Sequence, residues 1–183
     1  ANGDAVACTQ TINLRFGSGL VAGKTGVVLN NEMDDFSALP GSPNAFGLIG
    51  DEANSIAPGK RPLSSMTPTI VLKNGRAVGV FGSPGGSRII TATYQSILNV
   101  IEHGWALEKA IGYPRVHHQW YPDTIFYEPS RFSIEQKKAL EGLGHRLTES
   151  LPMGNAMGLW RRADGSMRAV ADPRGEGSGQ VAP

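Results

Sequence analysis

Two apolar runs at residues 69–82 flank Asn74-Gly75, and this pattern limits the fold of the chain more tightly than any other local signal. Asn-Gly is favoured in the type I′ turn, whose backbone twist matches that of two antiparallel strands, so the run predicts a β-hairpin. Ser83-Pro84-Gly85-Gly86-Ser87-Arg88 follows directly. Ile89, Ile90, Tyr94, Ile97, Leu98 and Ile101 then recur every three or four residues, which predicts a helix over about 87–103 with one apolar stripe and Gly104 as its stop. A central hairpin, a glycine turn and an amphipathic helix in succession point to a layered α+β sandwich.

The rest of the chain fits that frame. Residues 4–13 alternate like a strand, with Val6, Cys8 and Ile12 on an apolar face and Thr9, Thr11 and Asn13 on a polar one. Residues 26–30 read as a second strand. Residues 37–64 are rich in Pro, Gly, Ser and Asn and show neither period, as expected of a functional loop or lid, since ordinary connections are ~4–6 residues. A short helix at about 106–111, an extended Ile125–Glu128, a helix at 133–143 ended by Gly144, and two or three closing strands complete the map. Residues 175–183 read as a frayed tail. The 183 residues suit a single domain, 1–183, with a full core. Residues 1–4 read as a turn entered mid-hairpin, which predicts a chain cut from something longer, any export signal being on the missing part.

Composition excludes several functions. The net charge is +1 with the signs mixed along the chain, which argues against nucleic acid. No apolar run approaches the ~18 residues of a membrane span. A lone cysteine, Cys8, excludes an internal disulfide framework and a cysteine-built zinc site, and its small apolar neighbours suggest a core position.

Four segments could carry chemistry. Gly85 and Gly86, between a strand and a helix, can present backbone N–H groups to an anion or a developing oxyanion, or can simply permit a tight turn with Ser83 or Ser87 as the helix cap. Glu32, Asp34 and Asp35 form either an exposed acidic turn or a seat for a substrate ammonium group; the spacing of a calcium loop is missing. Ser64 and Ser65, after Lys60-Arg61, could bind a carboxylate or cap a turn. His117 and His118 point opposite ways on a strand, which suits structural roles better than a shared metal.

Taken together, the segments TxTIN at 9–13, LNNEMDDFS at 29–37, PNAFGL at 43–48, ANSIAPGKRPLSSMTPTIVLK at 53–73, GSPGGSRII at 82–90, PRVHHQW at 114–120 and DPR at 172–174 closely resemble the small subunit of the γ-glutamyltranspeptidases. The resemblance runs in order over nearly the whole chain. It implies the αββα sandwich of the N-terminal-nucleophile hydrolases. It also implies a self-cleaving precursor whose new N-terminal threonine is activated by its own α-amine. The expected activity is γ-glutamyl transfer or hydrolysis from glutathione-like donors, with a large subunit of the same precursor as partner and an amino acid, peptide or water as acceptor. By position, Thr11 resembles the hydroxyl that hydrogen-bonds the nucleophile. Asn13, Glu32 and Asp35 resemble the grip on the donor's α-amine, Ser64 and Ser65 that on its α-carboxylate, and Gly85 and Gly86 the oxyanion hole. Neither a metal nor a cofactor is implied, and the family's bacterial members suggest a periplasmic or secreted location.

Three departures stand out. The nucleophilic threonine would lie upstream of Ala1, so this chain alone is expected to be inactive. Phe46 stands where many members carry a tyrosine that bonds the active-site asparagine, which predicts a looser lid over residues 37–51. Met157 stands where the family often has glutamine. A related acylase acting on glutaryl or poly-γ-glutamyl substrates, or a non-catalytic fragment, are the competing expectations.

Overall fold

The computed structural model describes residues 3–181, which form two compact units: residues up to 9 together with 66 onward, and residues 10–65. The expected turn at residues 1–4 lies partly outside the described residues, as does the end of the tail.

In the larger unit the hairpin forms as expected. β1 (Thr69–Lys73) and β2 (Arg76–Gly82) pair antiparallel around Asn74 and Gly75, whose φ angles of 51° and 75° are those a type I′ turn requires. The glycine turn leads into α1 (Arg88–Ile101), then α2 (Leu107–Gly112), β3 (Val116–His117), β4 (Ile125–Tyr127), α3 (Ile134–Gly142), β5 (Leu147–Glu149), β6 (Met157–Arg161) and β7 (Met167–Ala171). One sheet has the order β1-β2-β6-β7, antiparallel throughout; the other has the order β3-β4-β5, with β4 and β5 parallel. The α+β class stands. α3 starts on a reciprocal cap, in which Ser133 Oγ accepts from the Gln136 N–H and Gln136 Oε1 accepts from the Ser133 N–H.

The core sits between the first sheet and α1–α2, where Phe81, Val100, Leu107, Ala110, Ile111 and Ala156 are buried. Gly158 on β6 makes room for it: a Cβ there would lie 2.7 Å from Ile111 Cδ1. The bulky stripe of α1 provides only part of the core face: Ile89 is buried and Ile97 packs against the core. Its buried face is Ile89, Ala92, Thr93, Ser96 and Val100, whereas Ile90, Tyr94 and Ile101 are exposed. Small side chains let the helix approach its neighbours closely, and Ser96 Oγ satisfies itself on the Ala92 carbonyl at 2.8 Å.

Three further expectations are corrected. Residues 4–13 form no strand among the described residues. In the larger unit their alternation persists with the opposite phase: Ala5, Ala7 and Thr9 are half-buried, while Val6 is 81% exposed and Cys8 is exposed rather than in the core. Thr9 lies against Gly82, where a missing Cβ leaves space. Residues 26–30 contribute only an isolated bridge, Val21 to Val28, flanked by the backbone bonds from the Ala22 N–H to the Val27 carbonyl and from the Leu29 N–H to the Leu20 carbonyl. The tail is not frayed over its described length. Glu176 accepts from Asn155 Nδ2, and Gly179 passes so close to the Ala169 carbonyl that a Cβ would lie 2.2 Å from it.

Candidate active site

In the smaller unit, Thr11 and Asn13 are tied to the acidic turn by asparagines. The Asn13 N–H donates to Thr11 Oγ1 at 2.8 Å, which uses the acceptor side of that hydroxyl and not its proton. Asn13 takes the left-handed backbone with φ 72°, a conformation asparagine tolerates better than most residues. Its Nδ2 donates to the Asn31 carbonyl at 3.0 Å, and Asn31 Oδ1 accepts from the Leu14 N–H at 3.0 Å. Glu32–Asp35 is a single 3₁₀ turn. Asn54 then joins this turn to the serines: its Nδ2 donates to the Asp35 carbonyl at 2.7 Å and its Oδ1 accepts from the Leu63 N–H at 3.0 Å, next to Ser64 and Ser65. Nothing in the sequence singled out Asn31 or Asn54, although both lie inside the motifs that carry the resemblance.

Burial raises the Glu32 carboxyl above the ordinary range, and the charge of Asp35 raises it further. Burial likewise raises Asp35; a hydrogen bond from Glu32 acts the other way and Asp34 adds to the rise. Glu32 Oε1 is buried without a hydrogen-bond partner. A pair held this way gains most when a cation arrives.

The loop at 37–51 lacks regular structure, as expected, yet it is internally braced. The Gly41 N–H donates to the Gly50 carbonyl at 3.0 Å, and Asn44 Oδ1 accepts from the Phe46 and Leu48 N–H groups at 3.0 Å each. Asp34 Oδ2 accepts from the Ala45 N–H at 3.1 Å, linking acidic turn and loop. Between them lies a cavity of about 150 Å³ whose lining includes Asp35, Ser37, Leu48 and Leu63. Phe46 is half-buried.

In the larger unit, Gly85 and Gly86 (φ 140° and 57°) form the turn between β2 and α1, at the N-terminal end of a 14-residue helix whose dipole favours negative charge. Neither serine caps the helix, the alternative role the sequence allowed them. Ser83 Oγ donates to the Pro84 carbonyl at 2.7 Å, and Ser87 Oγ donates to Gln119 Oε1 at 2.8 Å. His117 is buried between Thr91 Oγ1 and Gln119 Oε1, both at 2.9 Å, and burial lowers its pKa from the ordinary histidine value. His118 faces outward. Among the described residues no three His, Cys, Asp or Glu side chains gather as a metal site requires, and no helix is long and apolar enough to cross a membrane.

Sequence reasoning missed a buried charge cluster in this unit. Arg115 pairs with Asp172 at 2.6 Å, and Arg174 bridges Asp172 and Glu128. Burial pushes both carboxyls up, but the guanidinium groups and backbone N–H donors outweigh it and hold each below its ordinary range.

The chain matches the gamma-glutamyltranspeptidase family over residues 1–182. It is 49% identical over 173 residues to a glutathione hydrolase proenzyme of Escherichia coli K12, covering 94% of this chain and 30% of that protein. The chain thus spans about a third of the length of such curated relatives. A gamma-glutamyltranspeptidase from Pseudomonas nitroreducens, solved with L-DON, superposes with a TM-score of 0.93 at 43% identity, covering 100% of this chain and 95% of that one. The T380A variant of the Helicobacter pylori gamma-glutamyltranspeptidase gives a TM-score of 0.91 at 44% identity, covering 94% and 95%. The architecture is therefore that of the N-terminal-nucleophile hydrolases.

Proposed function

The chain belongs to the gamma-glutamyltranspeptidase family, and on that premise we propose that it forms the donor-binding part of an enzyme that transfers or hydrolyses γ-glutamyl groups of glutathione-like compounds. The observation that carries this reading is the asparagine linkage of Thr11–Asn13, the acidic turn and Ser64–Ser65 within one unit. Asn13, Glu32 and Asp35 accept the α-ammonium of the donor. Ser64 and Ser65 donate to its α-carboxylate, and Gly85 and Gly86 supply N–H groups to the oxyanion.

The nucleophile is a threonine upstream of Ala1, generated by cleavage of the precursor and paired with a large subunit. Its α-amine removes the hydroxyl proton as Oγ attacks the γ-carbonyl carbon, and Thr11 donates a hydrogen bond to that oxygen. Collapse of the tetrahedral intermediate breaks the C–N bond, and the protonated α-amine returns the proton to the departing nitrogen. Water or an amino acid then attacks the ester, releases glutamate or a γ-glutamyl product and restores the threonine. A periplasmic or secreted location accompanies this reading, and residues 1–183 alone are inactive.

The test is to express the full-length precursor, sequence the N-terminus of its smaller product and assay p-nitroaniline release from γ-glutamyl-p-nitroanilide. A threonine-led product whose activity falls below the amine pKa, ~7.7–8.0 before perturbation, and vanishes on N-terminal acetylation is expected. Absence of hydrolysis by the processed protein, or indifference to acetylation, refutes the proposal.

A further inference from the structure

The backbone of residues 153–156 is gripped by four side chains. Glu128 Oε1 accepts from the Met153 N–H at 2.6 Å, and Arg115 Nη1 donates to the Met153 carbonyl at 2.5 Å. Ser83 Oγ accepts from the Asn155 N–H at 3.1 Å, and Asp172 Oδ2 accepts from the Ala156 N–H at 2.7 Å. Three of these belong to the buried charge cluster, which Arg174 closes by binding both Glu128 and Asp172. The fourth, Ser83, is 2% exposed and begins the glycine turn; its own proton goes to the Pro84 carbonyl. Strap and turn touch backbone to backbone. A Cβ on Gly85 would lie 3.2 Å from Gly154 Cα, and one on Gly154 would lie 2.8 Å from Ser83 Oγ.

From this geometry we infer that Ser83, braced through residues 153–156 by Arg115, Glu128, Asp172 and Arg174, is a positioning residue for the oxyanion-donating turn at Gly85–Gly86. The inference rests on the acyl-transfer reading above. Backbone donors stabilise a developing oxyanion only when held at hydrogen-bond distance from the place where its charge appears. Glycines do not hold themselves there. The strap fixes the turn from behind, and Ser83 is the side chain that joins the two, accepting from one and donating to the other.

The experiment uses the processed full-length enzyme with Ser83→Ala. Hydrolysis of γ-glutamyl-p-nitroanilide should lose roughly 10- to 100-fold in kcat, the scale of a displacement of up to ~1 Å. KM and the inhibition constant of free glutamate should not change, because the head-group residues are untouched. A glutamate analogue with a boronic acid in place of its γ-carboxyl becomes tetrahedral on the nucleophile, and its affinity should fall by the same factor as kcat. Arg174→Lys keeps the charge but loses the fork, and should shift kcat and boronate affinity in the same direction by less. If Ser83→Ala yields no processed enzyme, Ser83→Cys, which retains a weak donor, reads the same ratio. Two results overturn the inference: kcat and boronate affinity both kept within about twofold of wild type, or glutamate affinity lost in step with them, which is the mark of general disruption. A wild-type enzyme that hydrolyses nothing would instead sink the reaction itself.

Discussion

Removing Arg174 should loosen the 153–156 strap far more than a surface charge change would. Its Nε and Nη2 bind the two Glu128 oxygens, its Nη1 binds Asp172 Oδ1, and the same guanidinium donates to the carbonyls of Ile111, Gly112 and Tyr113. The side chains of Glu128 and Asp172 are 5% and 0% exposed, so neither can turn to solvent when its partner is gone. Breaking one partner out of a buried pair typically costs ~3–5 kcal/mol, because a charge is left without compensation. Arg174→Ala should therefore reduce the protection of the Met153 and Ala156 amides, which donate to Glu128 and Asp172, by about two to three and a half orders of magnitude, at ~1.4 kcal/mol per tenfold. Hydrogen exchange of the full-length protein, read on peptides covering 150–157, gives the number directly. Asp123→Asn is the control. Its bond to His118 is exposed, and such pairs contribute ~0–1 kcal/mol. Replacing both partners, with Arg174→Met and Glu128→Leu, should recover part of the loss, since it leaves no stranded carboxylate at that position. A loss of protection below tenfold for Arg174→Ala, or one matched by Asp123→Asn, refutes the account of the cluster as a brace.

Asp35→Asn should raise KM for a γ-glutamyl donor by about 10- to 150-fold, the equivalent of the ~1.5–3 kcal/mol of a charged hydrogen bond, and should raise the inhibition constant of glutamate in parallel. Because Glu32 and Asp35 are both raised, donor affinity should begin to fall on acidification at a pH above the ordinary carboxyl range of ~3.9–4.3, and titration calorimetry at constant salt should show proton release on binding near that pH. Glu128 and Asp172 carry the opposite sign. Their lowered values supply stability that is complete above ~4.3 and is lost as pH falls through their folded values, which acid unfolding at fixed ionic strength checks. Phe46→Tyr should slow amide exchange across 37–51 if its hydroxyl reaches Asn13, by the ~0.5–1.5 kcal/mol of one net hydrogen bond; unchanged exchange would separate lid closure from that residue.

What was legible in the sequence was what nearest neighbours along the chain decide. Asn74-Gly75 dictates its own turn, the Ser133/Gln136 spacing its own cap, and Gly104 with φ 63° its own helix stop. The misjudged features depended on something distant. Alternation over residues 4–13 could not say which face would lie inward, and Thr9 settles that only because Gly82 lies beside it. The stripe of α1 was periodic but marked only part of the inward face: Ile89 and Ile97 do pack inward, yet Ile90, Tyr94 and Ile101 are exposed and the small Ala92, Thr93 and Ser96 complete the buried side. Arg115 and Asp172 stand 57 residues apart, and each alone looks like an ordinary surface charge.

The same contrast separates the proposed binding residues, which the sequence could nominate, from the residues that hold them, which it could not. Under the proposed function the donor head group offers an ammonium and a carboxylate, groups that acids and hydroxyls can meet, so Glu32, Asp35, Ser64 and Ser65 are nominated by side-chain chemistry, and the family resemblance is what chose that role over an exposed turn or a cap. The residues that hold these groups in place work through backbone atoms. Asn31 and Asn54 bind carbonyls and N–H groups that any residue would offer, and Ser83 does the same for the glycine turn. Nothing in the amino-acid type of the partner advertises such a bond. Substitutions at Asn31, Asn54 and Ser83 should therefore impair the site while the binding residues remain intact, and their effects should depend on hydrogen-bond geometry more than on charge.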